Sequence, residues 1–169
     1  MIDFLHGIGM VDTYWPLPTI LWRLTIAGIF GGIIGFEREL ALHSAGLRTH
    51  ILIALAAALY TVLVLEIFHL PEVMANGRSD PVHSVEAVTA GIAFLGAGVI
   101  FRAGKQPRGL TTAAGMWLAG AVGMAAALGY YLIGGFVCAV GLLVLTLLKR
   151  LDFVIDRRAH KPVPPPAED

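Results

Sequence analysis

Residues 110–148 read LTTAAGMWLAGAVGMAAALGYYLIGGFVCAVGLLVLTLL and contain no charged side chain. A helix needs about 20 mostly apolar residues to cross a bilayer, so this stretch is long enough for two crossings. Gly129 separates the two halves, 110–128 and 130–148, and predicts either a tight helical hairpin or one broken helix. The stretch therefore predicts an all-α membrane protein.

The composition of the whole chain agrees with this fold class. Of 169 residues, 57% are hydrophobic and 14% are charged; soluble domains have about 45–50% and about 25%. The formal net charge of zero argues against a nucleic-acid-binding protein. The single cysteine, Cys138, excludes an intrachain disulfide and a thiolate zinc site. The sequence contains no P-loop, HExxH or GxSxG motif, so we do not expect an enzyme.

Three further stretches are apolar enough to cross a membrane. The five predicted spans are 17–36, 49–70, 84–101, 110–128 and 130–148. The sequence thus predicts a polytopic helical bundle with five transmembrane helices.

The basic residues predict the orientation of this bundle. Lys and Arg are retained on the cytoplasmic side of a membrane. With five spans, ten of them lie on the side that holds the 37–48 connection, the 102–108 connection and the tail after Leu148; Arg78 lies on the other side. We therefore expect the N-terminus outside and the C-terminus in the cytoplasm. Arg23, within the first span, is expected to extend its side chain to the headgroups.

The chain divides into a membrane domain and two flanking segments. The membrane domain is predicted to cover residues 17–150, and residues 1–16 are expected to form an extracytoplasmic lead-in. This lead-in lacks the basic region of a cleaved signal peptide. Residues 151–169 are basic at first and carry four prolines among the last eight residues, so we expect a disordered cytoplasmic tail.

Small residues recur at the spacing that allows membrane helices to approach closely. The fourth span carries Gly115, Ala119, Gly123 and Ala127 at intervals of four. We expect this span to pack centrally against the first or the third span. The alternative is that such a small-residue face forms the interface of a homodimer. The same packing role is predicted for Gly28, Gly32, Gly35, Gly91, Gly96 and Gly98.

Motifs near the ends of the spans carry a family resemblance. Residues 34–39 read IGFERE and 45–50 read AGLRTH; residues 94–100 read FLGAGVI, and 108–114 read RGLTTAA, followed by Trp117. In this order they resemble the MgtC/SapB family of bacterial inner-membrane proteins, over about residues 28–129. The resemblance implies a multi-pass inner-membrane protein of a family associated with growth in low magnesium and with survival of pathogens inside host cells. Larger members add a soluble C-terminal domain, which we do not expect here.

The resemblance leaves three functions open. The first is magnesium or other ion homeostasis by transport of a small cation, with Mg²⁺ as substrate or ligand and no other cofactor implied. The second is a non-transporting regulatory subunit that binds a membrane protein such as the ATP synthase. The third is a lipid- or phosphate-sensing membrane protein.

Two charged connections are predicted to meet over one cytoplasmic vestibule. Glu37 is the expected carboxylate partner or cation ligand there, because Mg²⁺ prefers oxygen ligands. A structural alternative is that Glu37 or Glu39 pairs with Arg48 or Arg108 and clamps the loops, since charges at membrane depth must pair. Thr111 and Thr112 are expected to cap a helix end or to supply a ligand oxygen. The candidate site comprises Glu37, Arg38, Arg48, Arg102, Arg108, Thr111 and Thr112.

A second candidate site lies at the opposite end of the predicted spans. Glu66 and Glu86 are expected at the outer mouth, with His69 and His83 close by in sequence. Two carboxylates are enough for a partly hydrated Mg²⁺. The alternative interpretation is a solvated pair of acids at the membrane interface.

Overall fold

The computed structural model describes residues 12–76, 81–101 and 109–159, and all regular secondary structure in these ranges is helical. This confirms the predicted all-α class, and each predicted span falls on one long helix. A short helix that the sequence did not predict, α3, lies between the second and third of them. The helices are α1 (Leu17–Leu40), α2 (Leu47–Phe68), α3 (Pro71–Asn76), α4 (Pro81–Phe101), α5 (Leu110–Ala127) and α6 (Tyr131–Ala159).

Three of these helices, α1, α2 and α5, are long and apolar enough to cross a membrane. The other two long helices contain shorter apolar segments, Val85–Ile100 in α4 and Tyr131–Leu147 in α6. Large apolar side chains point away from the bundle; Leu132 is 90% exposed and Phe94 80%. A bilayer covers such a surface, whereas soluble monomers rarely expose one of this extent.

The contacts at the two ends of α5 show in which direction α1 and α2 run relative to it. A Cβ atom added at Gly115, near the start of α5, would lie 3.1 Å from Nε2 of His50 and 3.8 Å from Cδ of Arg38. The start of α5 therefore lies beside the start of α2 and the end of α1. At the other end, Arg23 donates a hydrogen bond to the carbonyl of Ala127. Helix α1 thus runs antiparallel to both α2 and α5.

Helices α4 and α6 flank α5 and run opposite to it. Gly96, near the end of α4, lies against Ala113 at the start of α5, with 3.3 Å between an added Cβ and the Ala113 Cβ. Gly134, near the start of α6, lies against Ala125 at the end of α5. Helix α5 consequently packs against all four other long helices. The sequence predicted contact with the first or third span, and α5 contacts both.

Three glycines bring the backbones of α1, α2 and α5 into direct contact. A Cβ atom at Gly31 would lie 2.6 Å from the carbonyl oxygen of His50, and one at Gly35 would lie 2.8 Å from Cα of Leu47. At Gly123 a Cβ atom would collide with the carbonyl oxygen of Ala54. No larger residue fits at these positions unless the helices move apart.

The other glycines with a predicted packing role make looser contacts. Gly28 and Gly32 have room for a Cβ at ordinary contact distance, 3.5 Å from Leu55 and 3.6 Å from Ile51. At Gly91 and Gly98 an added Cβ would have no described atom within 4 Å. Among the residues that the structure describes, these two glycines of α4 therefore bring no helix into close contact.

Gly129 makes the turn between α5 and α6. Its φ of 84° lies in the left-handed region, which glycine adopts without strain. The N–H of Tyr130 donates to the carbonyl of Ala125 at 2.8 Å, and the N–H of Gly129 donates to Ala126 at 3.0 Å. This pair of bonds is a Schellman motif, which ends a helix. Of the two alternatives, the structure therefore has the helical hairpin.

Helix α6 extends beyond the predicted end of the membrane domain. It continues to Ala159, so residues 151–159 are helical rather than part of a disordered tail. The reason is that no glycine or proline interrupts residues 142–161, and Pro162 is the first helix breaker. Residues 160–169 of the predicted tail and residues 1–11 of the lead-in lie outside the described residues.

The contact at Gly123 predicts the effect of adding one methyl group. Gly123→Ala should lower the free energy of unfolding by about 1–3 kcal/mol, because overpacking pushes α5 away from α2. The matched variant Gly98→Ala adds the same group where an added Cβ meets no described atom. It should be neutral or stabilising by up to about 1 kcal/mol, through helix propensity. Thermal unfolding in detergent, followed by tryptophan fluorescence, compares the two, and equal stability would contradict the α2–α5 contact.

Candidate functional site

An ion pair between a buried arginine and a half-buried glutamate lies at the end of α1. The Nε of Arg38 donates to Oε2 of Glu37 at 2.6 Å, and their side chains are 1% and 12% exposed. The guanidinium also lies in the last turn of α1, where the helix dipole favours a positive charge. Because an unpaired buried charge costs several kcal/mol, each of these two groups depends on the other.

His50 is buried beside this pair, in the first turns of α2. Its Nδ1 lies 2.8 Å from the carbonyl oxygen of Gly46. A carbonyl only accepts, so Nδ1 carries the proton, and Nε2 of the neutral ring presents a lone pair. Within the described part of the chain, neither this Nε2 nor Nη1 of Arg38 has a hydrogen-bond partner. Both side chains converge on Gly115 of α5.

The sequence prediction did not include His50 in the site. The available signal was its position at the end of AGLRTH, one of the motifs that carry the family resemblance. A polar residue two positions into an apolar span is itself a candidate for a functional role.

Glu39 clamps the connection between α1 and α2. Its Oε2 accepts a hydrogen bond at 2.9 Å from the N–H of Leu47, the first residue of α2. A carboxylate at this position satisfies a free N–H and interacts favourably with the helix dipole. A Cβ atom at Gly46 would collide with this carboxylate, so the turn is closed over it. Glu39 thus joins α1 to α2 through a backbone N–H, not through Arg48, which was one of its predicted partners.

The predicted arginine partners differ from the observed one. Glu37 pairs with Arg38, its neighbour in sequence, and Arg48 is exposed on α2. Arg102 and Arg108 lie outside the described residues.

The threonines of the RGLTTAA motif do not cap α5 as predicted. The helix begins at Leu110, and its N-cap residue is Gly109, with a φ of 85°. Thr111 and Thr112 therefore lie inside the first turn, two and three positions after the N-cap residue. Thr111 is exposed, whereas Thr112 is buried three residues before Gly115 and on the same face of α5.

Glu66 holds the lead-in segment at the opposite end of the bundle. Its carboxylate accepts hydrogen bonds from the backbone N–H groups of Tyr14 at 2.6 Å and Trp15 at 3.2 Å. The ring of Tyr14 also stacks on His69, with 3.6 Å between centroids. Glu66 lies sixteen residues after His50 on α2, or about 24 Å away along the helix. It is thus used for internal hydrogen bonding, well away from the Glu37–Arg38 pair.

Glu86 is the other residue of the predicted outer site. Its carboxylate pairs with His83 on the same helix. The two side chains lie 3.0 Å apart on the surface of α4, and both are largely exposed. The structure therefore does not bring the two outer carboxylates together through a shared partner.

Arg23 is buried rather than extended to the headgroups. It is 8% exposed, and its Nη1 donates to the carbonyl oxygen of Ala127 at 2.9 Å. Its guanidinium lies 4.3 Å from the centre of the Trp15 ring. The free carbonyls at the end of α5 attract this cation more effectively than the interface does.

No group of three or more His, Cys, Asp or Glu side chains among the described residues is arranged to hold a metal ion. Mg²⁺ usually keeps several waters and is bound by one or two carboxylates.

The ion pair predicts a non-additive response to neutralisation. Arg38→Gln should lower the free energy of unfolding by about 3–5 kcal/mol, because it leaves the Glu37 carboxylate unpaired. The double variant Glu37→Gln/Arg38→Gln should recover most of this loss, since two amides need no counter-charge. Arg48→Gln, at an exposed position, should change stability by less than about 0.5 kcal/mol. Denaturant unfolding in detergent measures all three, and a double variant no more stable than Arg38→Gln would show that the two groups are not coupled.

The chain was compared with known families and proteins. The model of the MgtC family matches residues 24–153. The chain is 38% identical over 147 residues to "Protein MgtC" of Brucella abortus strain 2308, an alignment that covers 85% of this chain and 58% of the relative. It is 36% identical over 133 residues to "Putative magnesium transporter YhiD" of Escherichia coli K12, covering 78% of this chain and 61% of the relative.

The chain therefore spans about three fifths of the length of these relatives. No solved structure matches it. The family match covers most of the helical bundle, including both partners of the ion pair and His50. The chain belongs to the MgtC family.

Proposed function

We propose that the protein crosses the bacterial inner membrane five times and acts there in magnesium homeostasis as a small-cation transporter. The alternating direction of the five long helices supports five crossings. The ten-to-one distribution of Lys and Arg supports an outer N-terminus and a cytoplasmic C-terminus. In this orientation the Glu37–Arg38 pair lies at the cytoplasmic end.

The Glu37–Arg38 pair is the observation that carries this proposal. Ionisable groups within membrane helices cost free energy and mark ion pathways and relays by default. A carboxylate is also the side-chain ligand that Mg²⁺ prefers. The relative named a magnesium transporter adds support, since it is 36% identical to this chain.

In the proposed mechanism Glu37 exchanges one partner for another. Without a cation, the guanidinium of Arg38 neutralises its carboxylate at 2.6 Å. A partly hydrated Mg²⁺ that binds the carboxylate displaces the guanidinium. The released Nε–H donor then needs an acceptor. Nε2 of His50 has no partner, and its ring lies near the Arg38 side chain at Gly115, so a shift of the guanidinium would bring the two together. This exchange keeps Arg38 hydrogen-bonded while the cation is bound.

The exchange predicts which variants lose transport. In proteoliposomes, the double variant Glu37→Gln/Arg38→Gln should lower Mg²⁺ flux by about tenfold or more, which corresponds to about 1.4 kcal/mol. This variant removes both charges together, so the protein should still fold. A lower flux would then reflect loss of the carboxylate and not loss of stability. Glu86→Gln, on the opposite end of the bundle, should keep its flux. Growth in low magnesium at matched membrane expression gives a second readout, and loss only in Glu86→Gln would move the site to the outer face.

A second candidate function is a regulatory membrane subunit without transport. The specific observation in its favour is the close backbone contact of α1 with α2 at Gly31 and Gly35 and of α5 with α2 at Gly123, where no gap wide enough for an ion remains. Such a protein would act by binding a larger membrane complex such as the ATP synthase. Absence of flux from the wild-type protein, together with stoichiometric copurification of such a complex, would favour this function over transport.

A further inference from the structure

A groove runs along the outer surface of α1, where it meets α6. It has a volume of about 550 Å³, within the range of about 300–1,000 Å³ typical of small-molecule sites. We propose that this α1–α6 groove binds a phospholipid with a primary ammonium headgroup, such as phosphatidylethanolamine. The proposal rests on the membrane orientation given above but not on transport.

The walls of the groove suit an acyl chain. Ile29, Ile33, Phe36 and Leu40 of α1 recur at helical spacing on one face, and all four are exposed. Leu142 and Thr146 of α6 form the other wall. Because this surface faces outward from two helices with apolar sequences, membrane hydrocarbon is the solvent that meets it.

The mouth of the groove carries a carboxylate at headgroup depth, and Arg38 neutralises its charge. Glu37 is the one charged side chain among the described residues that line the groove. It lies twenty residues after the start of α1, about 30 Å along the helix, which equals the thickness of the hydrocarbon core. An acyl chain that follows α1 therefore ends beside this carboxylate.

The chemistry of Glu37 selects the headgroup. An ionised carboxylate only accepts hydrogen bonds and has about four lone-pair positions, of which Nε of Arg38 takes one. An ethanolamine ammonium offers three N–H donors and a positive charge. A choline group offers the charge without a donor, and phosphatidylglycerol brings a net negative charge. Because Arg38 already supplies the counter-charge, the acceptor positions left on the carboxylate favour the headgroup with the most N–H donors, which is the primary ammonium.

The first test uses the wild-type protein and changes only the lipid. The purified chain is exchanged into micelles that contain phosphatidylethanolamine, its N-methyl and N,N-dimethyl derivatives, or phosphatidylcholine, all with the same acyl chains. Native mass spectrometry measures the lipid retained. Retention should fall as donors are removed, by about tenfold or more across the series, as expected for loss of charge-assisted hydrogen bonds. Equal retention of the first and last lipid would overturn the proposal.

The second test changes the groove. Glu37→Gln/Arg38→Gln should abolish the headgroup preference, whereas Glu86→Gln should keep it. Thr146→Phe fills the groove and should lower retention of every lipid in the series. Its matched control is Thr89→Phe on α4. The Thr89 hydroxyl bonds backbone carbonyls of its own helix, as that of Thr146 does, and Thr89 does not line the groove, so this variant should retain lipid as the wild type does.

Other outcomes would refute the proposal. A headgroup preference that survives in Glu37→Gln/Arg38→Gln would remove Glu37 from the site, and a lipid-free dimer would show that a second copy covers the groove. Lipid retention is measured without an ion gradient. Ammonium-selective binding without Mg²⁺ flux would therefore refute transport and leave the lipid site intact.

Discussion

Direct backbone contact between α1, α2 and α5 is the constraint on which the rest of the structure depends. Inside a membrane no hydrophobic force brings helices together, so they associate through close packing and hydrogen bonds. Gly31, Gly35 and Gly123 permit this approach. Its effect reaches both ends of the bundle, because the same three helices place Arg38 and His50 beside Gly115 and place Arg23 beside Ala127.

The fold could largely be predicted from the sequence because hydropathy and glycine spacing are local signals. The helices begin and end within a few residues of the predicted spans, apart from the extension of α1 to Leu40 and of α6 to Ala159. The partners of the charged side chains could not be predicted in the same way. Consecutive residues of a helix point in different directions, so a pair between Glu37 and Arg38 is not expected from spacing. It forms because the flexible arginine side chain folds back toward its neighbour, within surroundings that exclude water.

Three glutamates near the ends of the helices differ in the kind of group that they bind. Glu39 and Glu66 accept hydrogen bonds from backbone N–H groups, at the start of α2 and in the lead-in. Both contacts join segments of the chain, so a cation could bind these acids only by loosening the fold. Glu37 instead contacts a side chain, and a side chain can change its partner while the helices stay in place. Sequence alone could not make this distinction, because all three acids lie near the ends of predicted spans.

The hydrogen bond of Arg23 has a consequence for biosynthesis. Its acceptor, the carbonyl of Ala127, lies 104 residues later in the chain. When α1 is synthesised, α5 has not yet been translated, so the guanidinium is without this acceptor. Of the two partners that Arg23 has in the folded bundle, only the ring of Trp15, eight residues earlier, already exists at that stage. The hydrogen bond between Arg23 and Ala127 can therefore form only after the end of α5 has been synthesised, and this end of the bundle is completed late.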